Sequence, residues 1–143
     1  MAIAAFPSLE FSMIFTLLRV SGLNWQPTEM VARFQIRDAS VWRAGDARRR
    51  GNYKDSGFSL SLPEHESWAS AKTAIRDLLC AQKHALDAAA VLDLSVELSI
   101  GVTVGEENSY APTLDFEPEL LAALHAARVA LSVTAYPTSD EQE

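Results

Sequence analysis

The chain has 143 residues, 48% of them hydrophobic and 22% charged, and a formal charge of −7 from 19 acidic and 12 basic side chains. That length suits one domain with one hydrophobic core. The acidity disfavours non-specific binding to nucleic acid or anionic membranes, no apolar run approaches the ~20 residues that cross a bilayer, and the one cysteine, Cys80, excludes an intramolecular disulfide.

In chain order, residues 1–10 are expected to be a lead-in. Met1 to Phe6 has no basic residue ahead of an apolar run, so no signal peptide is evident and the cytoplasm is the expected location. Phe11 to Val20 predicts the first strand, with Met13, Phe15 and Leu17 on one face and Ile14, Thr16 and Leu18 on the other. Gln26-Pro27-Thr28-Glu29 starts a short helix, because proline is tolerated in the first turn and an acid suits the positive end of the dipole. Ala39 to Arg43 is a short edge strand or an extended connection. Arg43 to Lys54 is polar, glycine-punctuated and aperiodic, and predicts a loop. Phe58, Leu60 and Leu62 alternate with Ser59 and Ser61 in a second strand that Pro63 closes.

Ser67 is a good N-cap for the longest helix. Trp68, Ala71, Ile75, Leu78 and Leu79 follow helical spacing, and Leu86, Ala89 and Ala90 extend the stripe. The pattern leaves open one helix or two with a kink near Gln82–Lys83. Cys80, after Leu78 and Leu79, is expected to be a small buried hydrophobe. From Leu94 to Val104 every even position is aliphatic and every odd one is Ser, Glu, Gly or Thr. This predicts the central strand of an antiparallel sheet, oily on one face. Ala111 to Phe116 is a candidate short strand. Glu117-Pro118-Glu119 starts a helix with Leu120, Leu121, Leu124 and Ala127 toward the core. Ala130 to Tyr136 is the last strand, stopped by Pro137, and 138–143 is expected to be an acidic disordered tail. The expected fold is therefore one α+β domain over 11–137: a mostly antiparallel sheet with helices packed on one face.

No catalytic, cofactor or metal constellation is expected. His65, His84, His125 and Cys80 do not fall at zinc-ligand spacings, although Cys80 and His84 sit four apart. Glu64-His65-Glu66 could supply a general base, but an acidic approach to a helix N-terminus is the simpler reading. The 43–54 loop carries +4 and leaves −11 on the rest. Trp42 is expected to be partly exposed beside it, whereas Trp68 belongs to the core.

These residues carry a family likeness over about Phe11 to Tyr136. It rests on the first strand, on Gln26-Pro27-Thr28-Glu29-Met30, on Trp42-Arg43-Ala44-Gly45-Asp46, on a strand after Ser56-Gly57, on the long helix, and on Leu131-Ser132-Val133-Thr134-Ala135-Tyr136. The chain resembles the bacterial family called domain of unknown function 4279. The resemblance implies a small α+β domain without known catalytic residues. Domains of this kind look similar to immunity proteins of bacterial toxin systems, which are small, acidic and cytoplasmic.

Together these features lead to the expectation of a non-enzymatic binding protein that occludes a cognate, basic protein toxin. The expected contacts are Glu106 and Glu107, with Trp42, Asp46, Arg48, Arg49, Arg50 and Tyr53. The alternative is a small-molecule or nucleotide-binding module on the 43–54 loop, with Tyr53 stacking on a base. A homodimer through edge strands is a further expectation.

Overall fold

The protein is described by a computed structural model over residues 13–105 and 113–138. Its strands are β1 (Ile14–Gly22), β2 (Ser40–Trp42), β3 (Ser56–Ser61), β4 (Ser95–Gly105) and β5 (Ala130–Thr138). Its helices are α1 (Pro27–Arg33), α2 (Trp68–Ala81), α3 (Lys83–Val91) and α4 (Pro118–Ala126). The strands form one sheet in the order β2-β3-β1-β4-β5. Every pairing is antiparallel except β4 with β5. The fold is α+β with a mostly antiparallel sheet, as the residue pattern implies.

The central strand is β1, not the 94–104 strand. β4 lies one place in from the edge, because α4 carries the chain over the sheet to lay β5 parallel beside it. On β1 the buried face is Ile14, Thr16, Leu18 and Val20. On β4 it is Val96, Leu98, Ile100 and Val102, and on β3 Phe58 and Leu60. All the helices pack on that face through Met30, Trp68, Ala71, Ile75, Leu79, Leu86, Ala89, Leu120 and Leu124. Each large aliphatic buried there contributes roughly 1.5–3 kcal/mol.

The long helical stretch is two helices that meet at Gln82. Ser67 caps the first, accepting from the Ser70 N–H at 3.1 Å. Pro27 and Pro118 sit in the first turns of α1 and α4. Four expectations need correction. Cys80 is exposed, because the buried stripe of α2 runs 68, 71, 75, 79 and turns position 80 outward. Leu121 is likewise exposed, one step off the Leu120–Leu124 stripe. Residues 113–117 form no strand, and 111–112 lie outside the described residues. Instead the Asp115 carbonyl accepts from the Trp68 indole N–H at 2.8 Å, and Phe116 packs on the Trp68 ring. Pro137 does not stop β5, which runs on to Thr138; proline is tolerated on this edge strand.

The helix-to-strand turns carry no glycine. α1, α3 and α4 are each followed by a left-handed residue: Gln35, Asp93 and Arg128, with φ of 53°, 59° and 59°. After each, the next N–H reaches back five residues into the last turn, as from Val129 to the Leu124 carbonyl at 2.9 Å. Arg128 is exposed and holds a conformation that a Cβ makes costly. Arg128→Gly is expected to raise unfolding free energy by up to about 1 kcal/mol in urea titration.

Lys72 ties α2 to the segment before α4. Its ammonium lies 2.7 Å from Glu117 and 3.3 Å from Asp115, and Arg76 reaches Glu117 at 3.4 Å. The hydrogen bond to Lys72 is the main reason both carboxyls sit below their ordinary values. The bond to Glu117 likewise holds the lysine above its own. A lowered carboxyl stabilises the fold above the unfolded carboxylate range, about pH 4, and that contribution disappears as pH falls through the folded values. Lys72→Met is therefore expected to flatten the acid side of a plot of urea midpoint against pH. It should lower the neutral midpoint slightly, since Asp115 and Glu117 stay in contact with water and screening keeps the pair weak.

Candidate functional site

With the helices on one side, no described element covers the other face of the sheet. β1 presents Phe15, Leu17 and Arg19 there, β4 Glu97, Ser99, Gly101 and Thr103, and β5 Ser132, Thr134 and Tyr136. Phe15 is 38% exposed and Tyr136 53%. The surface mixes small hydroxyls with aromatic rings.

Two glycines seat those aromatics. Gly101 lies under Tyr136, whose ring edge would be 2.9 Å from an added Cβ. Gly57 lies under Trp42, and a Cβ there would press on both the indole and the Val20 carbonyl. A glycine inside a strand often marks such a close approach. Trp42 is consequently 7% exposed, not the partly exposed anchor expected from its position beside a basic loop. It lies apart from the main core: the Arg19 guanidinium is 4.5 Å from its ring, Tyr53 stacks on it at 5.2 Å, and its N–H donates to Asp55 at 3.3 Å. Arg48 continues the series, 4.9 Å from the Tyr53 ring. Arg19, Trp42, Tyr53 and Arg48 thus form a ladder of alternating contacts at the β2 edge.

The 43–54 loop is a small hairpin built on this ladder. Ala47 and Asn52 bridge, the Gly45 N–H donates to the Tyr53 carbonyl at 2.8 Å, and the Tyr53 N–H donates to the Asp46 carbonyl at 2.9 Å. Asp46 also accepts from the Arg43 N–H at 2.9 Å, so it shapes the turn. Arg43, Arg49, Arg50 and Lys54 are exposed. The structure therefore gathers Trp42, Asp46, Arg48 and Tyr53 into one unit and sets Arg49 and Arg50 at its rim. Tyr53 already has Trp42 and Arg48 against its ring. Glu106 and Glu107 lie outside the described residues.

Sequence reasoning missed Phe15, Arg19 and Tyr136. The available signal was glycine at outward-facing positions of strands, at Gly57 and Gly101.

Among the described residues His65 gains no carboxylate partner. Glu64 and Glu66 are exposed, the His65 backbone bridges Ile14, and the imidazole Nδ1 is buried with no hydrogen-bond partner. No group of three His, Cys, Asp or Glu among the described residues could hold a metal ion. A cavity of about 540 Å³ lies in the helix layer between Trp25, Met30 and Phe34 on one side and Val91 and Leu92 on the other. No described helix is long and apolar enough to cross a membrane.

The model of the domain of unknown function DUF4279 matches residues 12–138, and the chain belongs to that family. No curated protein and no solved structure matches it.

Gly57→Ala is expected to cost about 1–3 kcal/mol in urea unfolding, through displacement of Trp42 and strain at Val20. Near-UV circular dichroism should report loss of the Trp42–Tyr53 stack.

Proposed function

We propose that this chain is an immunity protein, a cytoplasmic binding protein that neutralises a cognate bacterial toxin domain by covering its active surface. The open face of the sheet carries the reading. It is braced from behind by the helix layer, and studded with Phe15, Leu17 and Tyr136 among Ser99, Ser132 and Thr134. Aromatic and arginine residues are the side chains enriched at protein interfaces. The rigid Trp42 ladder, with Arg49 and Arg50 at its rim, borders the same face. Trp42 acts there as a brace and not as the contact itself.

Charge supports a basic partner. The chain as a whole carries −7, which would steer a basic toxin toward it. A nucleotide module on the 43–54 hairpin has less support, since Tyr53 already has two ring neighbours.

The test is co-expression with the product of the adjacent reading frame, followed by size-exclusion chromatography. Growth rescue and a one-to-one complex are expected. Phe15→Lys with Tyr136→Lys should weaken the complex at least tenfold while leaving the urea midpoint nearly unchanged, because both side chains are exposed. A variant that neutralises as well as the parent chain, or a parent chain that retains no partner, would overturn the proposal.

A further inference from the structure

We infer that β5 is a self-association edge, through which two copies of this chain pair antiparallel to form one ten-stranded sheet. The two edges of the sheet differ sharply. β2 is three residues long and leads directly into the hairpin with Arg48, Arg49 and Arg50, and short length and cationic side chains both discourage strand addition. β5 is nine residues long and carries no charged side chain from Ala130 to Thr138. Its register with β4 is continuous, from Glu97 opposite Ala130 to Gly105 opposite Thr138, so no bulge turns the edge away. Pro137 limits the edge only near its end, and Ala130 to Tyr136 have no second strand partner among the described residues.

The side chains also fit a second copy. Leu131, Val133 and Ala135 share the face of Leu98, Ile100 and Val102, yet Val133 is 47% exposed because the helix layer does not reach the outer half of β5. A two-fold axis normal to the sheet would set the Val133 and Ala135 shoulders of both copies side by side, between the two helix layers. Ser132, Thr134 and Tyr136 would meet on the opposite face. Antiparallel self-pairing is closed and self-complementary, and an uncharged strand meets its own copy without like-charge repulsion. That same neutrality gives a charged partner strand nothing to recognise. The shared ladder is roughly 24 Å long at about 3.4 Å per residue. It is much smaller than a standard interface of ~800 Å² per partner, so the dimer is weak and concentration-dependent. The inference stands apart from the toxin-binding proposal, and it is tested without any partner.

Sedimentation velocity of the Cys80→Ser chain, which removes the exposed thiol, is run from about 5 to about 500 μM. The expected mass rises from 15.6 kDa toward twice that value. Val133→Lys and, separately, Thr134→Lys should hold the monomer mass at the top concentration with at least tenfold weaker association, because a charge on an edge blocks strand pairing. Both residues are exposed, so an unchanged thermal midpoint serves as the folding control. A monomer throughout the range overturns the inference. So does a dimer that survives both lysine variants, or one that forms only when Cys80 is present.

Discussion

Leu18 on β1, Leu98 and Ile100 on β4 and Phe58 on β3 all point to the same side of the sheet, and the whole architecture follows from that one-sided burial. A sheet with one oily face needs one covering layer. α1 to α4 supply it, through Met30, Ile75, Leu86, Leu120 and Leu124 among others. The same constraint leaves the reverse face without a covering layer. Hydroxyls on β1, β3, β4 and β5 can stand there because no apolar layer buries them; Ser132 reaches Ser99, and Thr103 accepts from the Met13 N–H.

What stands on that reverse face is set by two missing side chains. At Gly57 and Gly101 the backbone is bare, and an aromatic ring from a neighbouring strand lies down in each place. Trp42 is thereby removed from solvent without joining the main core, and Arg19 and Tyr53 close around it. The basic hairpin, unremarkable as a string of arginines, becomes a fixed projection because its tyrosine is part of this stack. Rigidity of this sort suits recognition, since less conformational freedom is lost on binding.

The two edges are treated in opposite ways. The β2 side is short and guarded by cations, while the β5 side is long, neutral and open. The parallel placement of β5 has a second consequence: it brings Gly105 and Thr138 to the same end of the sheet, where the start of β1 also lies. The start of β1 and the ends of β4 and β5 thus share one pole, while the arginine hairpin sits at the far edge.

The alternation from Leu94 to Val104, the proline-started helices, the Ser67 cap and the stripe from Trp68 to Leu79 were all legible in the chain, because period and capping are local physics. The α+β class followed from their order. Three features belong to tertiary structure alone. Local pattern cannot say which strands neighbour which, so the central place of β1 and the parallel pairing of β5 emerged only when α4 crossed the sheet. The helix ends at Gln35, Asp93 and Arg128 lack the glycine that normally marks them, and packing holds those residues left-handed. The burial of Trp42 depends on a glycine fifteen residues away and on an arginine two strands distant, a three-body arrangement that no periodicity in the sequence encodes.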